Sequence, residues 1–260
     1  MHLILALMLL LQGAGGSDDQ IRERLTTKFV GKLFLVKSFP PGSRLRFDSD
    51  GKLLTSVAPG LFTLDGNIHV ESVNVRPDHI EFDGRRSFVA YSSKSGKLEE
   101  YPTKQSLRVE FVRKPGVAID ATIDGVLLSL EDTIKTLPPY WARLMTGAPI
   151  LDTMTDPETG ETIPRSSEAQ HLVPNPIRRT PPAYPEALNR FDITGPVVLR
   201  VIVDEKGKPT VVDIVTPMGF GLDQAAINAV SKWEYEPAKR DGKPVKVYVR
   251  VQFNFSPPDQ

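Results

Sequence analysis

The 260-residue sequence contains no cysteine. This excludes a disulfide framework, thiolate chemistry, a zinc–thiolate centre and a lipid-modified cysteine anchor. Histidine is scarce, with four in the chain, and no glycine-rich phosphate loop, Gly-x-Ser-x-Gly elbow or convincing His–nucleophile pairing occurs. No catalytic residues and no cofactor are therefore assigned. Net charge is absent as well: 32 Lys and Arg balance 32 Asp and Glu. Nothing in that balance favours nucleic acid or acidic lipid as a partner. The longest apolar run, "LILALMLLL" at residues 3–11, falls short of the about 20 residues needed to cross a bilayer.

That run is followed by small residues and then acid. The order matches the core and cleavage zone of a secretory signal, cut near Gly15 or Gly16. Residues 1–16 are read as the signal and the mature chain is expected in the periplasm. The alternative is an envelope-associated chain that keeps the segment uncleaved.

Proline is abundant, and ten of the 23 prolines fall between residues 138 and 185. The stretch 145–176 has little periodicity and many small polar residues, so an extended linker is expected there. The sequence thus divides into a β-rich domain of unknown role at 20–144, the linker, and a carboxy-terminal domain at 177–256, an α+β chain overall.

The first domain shows period-two patterning broken by Asp50-Gly51, Asp65-Gly66, Asp83-Gly84, Ser95-Gly96 and Asp124-Gly125. Many short strands separated by such turns predict an all-β small barrel or sandwich. Amphipathic segments at 21–30 and after Glu131 are expected to form short helices at its two ends. Two His-x-Glu triplets, His69/Glu71 and His79/Glu81, have the spacing of paired ligands on one strand face. A two-residue turn at Pro77-Asp78 sets Arg76 opposite His79, Asn74 opposite Glu81, and Val75 and Val73 opposite Ile80 and Phe82. In that register the two triplets lie on different faces, so no metal site is expected. Asp48 and Asp50 open like a calcium loop but lack its later ligands and read as a hairpin turn.

The carboxy-terminal domain reads helix, strand, strand, helix, strand. A first helix is expected within 181–190, a hairpin within 195–217 turning at 204–208, and a second helix at 220–237, capped near Asp223. The second helix carries Leu222, Ala226, Ala229/Val230 and Trp233 as its apolar stripe. The predicted fold is a three-stranded antiparallel sheet with two helices on one face. The last strand, "VKVYVRVQFNF" at 245–255, alternates apolar and polar residues throughout.

Tyr184-Pro185 open the domain, Gly195 precedes the first strand, and Gly207 closes the hairpin turn. Gly221-Leu222-Asp223 lead into an Ala-rich helix, followed by "KWEYEP" with Trp233, Tyr235 and Pro237, then Gly242-Lys243-Pro244 and the final strand. In this order and spacing the last third of the chain resembles the TonB carboxy-terminal domain. The resemblance implies binding rather than chemistry: a short extended segment of a TonB-dependent outer-membrane transporter is added as a strand beside the last strand. Lys246, Tyr248, Arg250, Gln252 and Asn254 would supply the side-chain surface, with the main chain from Val247 through Tyr248, Val249 and Arg250 to Val251 in the ladder. The same Lys and Arg also suit an edge blunted against aggregation. A homodimer through that edge is a further expectation. The family's spanning helix has no counterpart in the short apolar run, so an inner-membrane motor complex would act indirectly, or the module would grip passively. The alternatives are a small-ligand-binding β-domain with the TonB-like module used for docking or dimerisation, and, less favoured, a hydrolase with a hidden site.

Overall fold

The structure is a computed structural model that describes residues 16–114, 118–150, 153–156, 159–166 and 173–258. The apolar run at 3–11 lies outside the described residues. Among the described residues no helix is long and apolar enough to cross a membrane. The chain forms two compact units. One holds the described residues up to Val89 together with Glu100–Thr136; the other holds Ala90–Glu99 and the described residues from Leu137 onward.

The first unit begins with helix α1 (Asp18–Phe29), started by a capping box in which Ser17 and Gln20 satisfy each other's backbone N–H groups. Then follow β1 (Leu33–Val36), β2 (Arg44–Phe47), α2 (Phe62–Asp65), β3 (Asn67–Val75), β4 (His79–Ser92) and β5 (Lys97–Val112). Helix α3 (Asp120–Val126), the two-residue β6 (Leu127–Leu128) and α4 (Leu130–Thr136) complete it. The strands form one six-stranded sheet in the order β2-β5-β4-β3-β1-β6. The β2–β5 pair is parallel. The expectation of an all-β barrel or sandwich is corrected here. The sheet ends at β2 and β6 without closing, and helices occupy the layer a second sheet would have filled. Leu25 and Phe29 of α1 and Ile123 and Val126 of α3 share one core with Ile68, Val70, Phe82, Val109 and Phe111. Leu25 and Phe29 stand four apart, the helical spacing that brings both onto the sheet.

The other face of this sheet is polar and paired. Arg108 binds Asp83 at 2.6 Å and Glu81 at 3.2 Å, and Arg44 reaches the buried Glu110 at 2.6 Å. The β3–β4 hairpin has the predicted register near its turn, Val75 with Ile80, Asn74 with Glu81 and Val73 with Phe82, but a bulge between Val70 and Ser72 shifts it beyond and brings His69 onto the face of Glu81, not the opposite face expected for it. His79 contacts Asp78 and Glu81, whereas His69 lies across from Arg85 and 3.5 Å from Glu100. The triplets stay apart. Asp48 accepts from the backbone N–H groups of Asp50 and Lys52, which identifies it as a turn residue.

The second unit opens with α5 (Pro139–Thr146) and the tip of the β4–β5 hairpin. It continues through β7 (Asn175–Arg178), a 3₁₀ turn (Glu186–Leu188), β8 (Gly195–Val203), β9 (Pro209–Thr216) and α6 (Leu222–Val230). The short strands β10 (Glu234–Glu236), β11 (Lys239–Arg240) and β12 (Lys243–Pro244) precede β13 (Val247–Phe255). The three-stranded sheet runs β13-β8-β9, all antiparallel. Leu199, Val201 and Ile214 on one face and Leu222, Ala226 and Val230 of α6 are all fully buried, and α6 packs on β8 and β9.

Three expectations change. The helix expected within 181–190 is only a 3₁₀ turn, because Pro185 is followed by too few residues before Asn189 ends it. The helix expected over 220–237 stops at Val230, and the chain turns into β10, which pairs with β7. The second α-helix, α5, packs on β9. Its Arg143 binds Asp213, which lies across from Arg200 and so points away from the Leu199 face. Helices thus do not share one face.

The ring of Phe82 is fully buried and meets Phe29 at 5.1 Å and Phe111 at 5.8 Å. Phe82→Ala should therefore destabilise the first unit by about 3–5 kcal/mol. Urea unfolding followed by far-UV circular dichroism checks this, with a midpoint shift and unchanged slope as the expected result.

Candidate functional site

A strand bonds to its neighbour through alternate residues and turns the main-chain groups of the others outward. β13 is paired with β8 along its whole length, from Val247 opposite Val203 to Phe255 opposite Gly195. At Tyr248 the outward direction is explicit: its N–H donates to Pro164 O at 3.1 Å and its carbonyl accepts from Ser166 N–H at 3.0 Å. By the same alternation, the main-chain groups of Arg250, Gln252 and Asn254 face away from β8. Those of Val247, Val249 and Val251 are directed toward it. The ladder available to an added strand therefore lies at the even-numbered residues, so within the expected span Val247–Val251 it is Tyr248 and Arg250, and not the valines, that face outward.

The side chains divide as well. Arg250, Gln252 and Asn254 are exposed, and the Gln252 amide donates to Asn254 Oδ1 at 2.9 Å. Tyr248 is 8% exposed, with the Arg200 guanidinium 5.7 Å from its ring centre. Lys246 forms a short ion pair with the buried Asp156. Of the five side chains expected to face a partner, three are exposed and two are engaged by the chain itself.

Beside the open part of β13 lies a cleft of about 570 Å³, lined by Arg250, Gln252, Arg165, Pro174, Arg179 and Trp233 among others. Trp233 forms its wall. Its indole N–H donates to Thr180 O at 2.8 Å, its ring meets Phe253 edge-on at 5.5 Å, and Arg179 lies 5.4 Å over it. Trp233 packs with Val203, Tyr235, Ala238 and Val247. It belongs to this smaller cluster, not to a helical stripe.

The remaining motif residues brace this arrangement. Tyr184 donates from its hydroxyl to Ile193 O at 3.0 Å, and Pro185 leads into the 3₁₀ turn. Gly207 has φ +80°, and a Cβ there would come within 1.8 Å of Tyr235 O, so only glycine lets the β8–β9 turn dock on β10. Gly195 begins β8, Leu222 begins α6, and Gly242 (φ +77°) turns β11 into Pro244 of β12. Pro237 separates β10 from β11. Asp223 is fully buried and accepts from the N–H groups of Met218 at 2.9 Å and Gly219 at 2.6 Å. It holds the turn before α6, while Gly221 occupies the cap position.

Residues 180–257 match the model of the Gram-negative bacterial TonB protein C-terminal family. The last third of this chain is a TonB C-terminal domain. It is similar to protein tonB2 of Pseudomonas aeruginosa, 39% identical over 75 residues that make up 28% of each chain. It is also similar to protein TonB of Xanthomonas campestris pv. campestris, 36% identical over 77 residues, 29% of this chain and 34% of that one. The match spans about a third or less of these curated relatives. Among solved structures, the solution structure of the Pseudomonas aeruginosa TonB CTD aligns with 34% of this chain and 89% of its own, at 26% identity and a TM-score of 0.27.

Outside the matched domain, sequence reasoning missed the contacts of Asp156, Pro164 and Ser166, which it assigned to the linker. The only local signal was Ile163, an isolated apolar residue in a polar stretch, which is 4% exposed. Among the described residues no cluster of three or more His, Asp or Glu is arranged to hold a metal.

Burial pushes the Asp223 carboxyl up to about 7, outweighing the two amide bonds that pull it down. In the unfolded chain this group loses its proton near pH 4. The folded form thus holds a proton that the unfolded form releases, and the associated stability is complete below about pH 4 and lost as pH rises toward 7. The parent's urea midpoint should fall between pH 5 and pH 7 by an amount that Asp223→Asn abolishes. An equal slope in both proteins would show that Asp223 is ionised in the folded state.

Proposed function

We propose that the TonB C-terminal domain of this chain is a peptide-docking module of the Gram-negative envelope. In this reading it takes an extended segment of a TonB-dependent outer-membrane transporter as a strand added beside β13, works in the periplasm and serves TonB-dependent transport without being an enzyme. The supporting observation is the outward main chain of Arg250, Gln252 and Asn254, on an edge that borders a cleft walled by Trp233. An edge strand with unmet donors and acceptors is the substrate for β-augmentation.

The energetics fit a modest complex. Three outward residues offer about six main-chain bonds, at a net ~0.5–1.5 kcal/mol each. Micromolar binding needs about 8 kcal/mol. The bonds reach that only at the top of their range, so side-chain contacts in the cleft must contribute. Gln252 and Arg250 are placed to make them.

Calorimetric titration of the full chain with synthetic peptides from the plug-start segments of such transporters tests the reading. Micromolar binding is expected. Gln252→Pro, which removes an outward N–H, should weaken it by at least about tenfold more than Gln252→Ala, which loses only the side-chain contact. Absence of binding, or equal binding by the proline variant, would overturn strand addition at this edge.

A further inference from the structure

We propose that residues 154–166 are a built-in competitor for the docking edge, an intramolecular strand that pairs with β13 and limits access to it. Two bonds to one residue, from Tyr248 N–H to Pro164 O and from Ser166 N–H to Tyr248 O, are the pattern of a parallel strand addition with Arg165 beside Tyr248. The segment is thus already in the geometry an incoming peptide would adopt.

Its placement is not a single contact. Ile163 N–H donates to Met154 O at 2.8 Å, Asp156 N–H to Glu161 O at 2.8 Å, and Gly160 N–H to Asp156 O at 2.8 Å. Thr155 bridges Thr162. These bonds hold residues 154–156 against 159–163 and deliver Pro164 to the edge. Ile163 anchors the segment by burial, and Asp156 ties it to Lys246, two residues from Tyr248 on the strand itself. The latch therefore grips β13 through both a side chain and the main chain.

The consequence is positional. Of the four outward residues on β13, Tyr248 is taken, and among the described residues Arg250, Gln252 and Asn254 remain. A peptide longer than that opening must displace Ser166 or stop short of it. Among the described residues the main-chain hold on β13 is two bonds at one residue, short enough for a longer added strand to replace. This inference rests on the strand-addition reading of the same edge.

The experiment uses the full chain, Asp156→Asn to break the ion pair, and Ser166→Pro to remove the N–H that reaches Tyr248. Amide hydrogen exchange at Tyr248 is read first, without peptide. Tyr248 should be protected in the parent and exchange at least about tenfold faster in both variants. The same samples are then titrated with the transporter plug-start peptides, and both variants should bind about tenfold more tightly than the parent. Unchanged exchange in the variants would overturn the latch. Faster exchange with unchanged affinity would overturn the competition and leave strand addition standing. Failure of every form to bind any peptide would overturn both, even with Tyr248 protected in the parent.

Discussion

β8 can satisfy only one side of β13. Every second residue of that strand turns a donor and an acceptor away from the sheet, and those groups need water, another segment or a partner. The organisation of the carboxy-terminal unit follows from how this one edge is met. At Tyr248 the chain meets it itself, through Pro164 and Ser166. At Arg250 and Gln252 the cleft beside Trp233 lies along it. The three-stranded sheet, the helix behind it and the small strands around it together hold that edge straight and in register.

The support comes from places remote from the edge in sequence. Gly207 lets the β8–β9 turn press on Tyr235, whose N–H donates back to Gly207 O at 3.0 Å. This contact fixes β10, and Trp233 immediately precedes it. β7 pairs with β10 from the other side and brings Arg179 and Thr180 to the Trp233 ring. Asp223 ties down the turn that aims α6 at Leu199 and Ile214. The residues that mark the family in sequence are thus mostly those that shape the wall of the cleft, while the strand that would bind is marked only by alternation.

That difference explains what could be read in advance. Period-two alternation made β8, β9 and β13 legible, and the turn at Pro77-Asp78 gave the correct β3–β4 register beside it because a one-residue slip would have buried Glu81's neighbours on the wrong face. The helices expected at 21–30 and after Glu131 are present as α1 and α4, but their place as a layer over the sheet was not legible, and α3 was missed because Ile123 and Val126 are too few for a period to emerge from a β-rich background. Helix α6 was read too long because Ser231, Lys232 and Trp233 are compatible with helix, and the competing pull of β7 on Glu234–Glu236 is a tertiary effect. Alternation also placed the side chains of Lys246 and Tyr248 on the correct face without revealing that Asp156, Pro164 and Ser166 reach them. Those contacts come from a segment whose composition reads as linker.

The same contacts decide how this edge is kept from pairing with the wrong strand. Charge is the usual device, and Lys246 and Arg250 invite that interpretation. Lys246, however, is committed to Asp156, so its charge is neutralised where a repulsive gatekeeper would need it. Arg250 is the one exposed cation within β13 itself. Protection by charge would then rest on a single residue over a nine-residue strand. Protection by cover, with a segment of the chain seated at one end and a walled cleft beside Arg250 and Gln252, accounts for both the buried Tyr248 and the paired Lys246. A charged edge repels every strand alike, whereas a covered edge discriminates by what can displace the cover. The arrangement around Tyr248 belongs to the second kind.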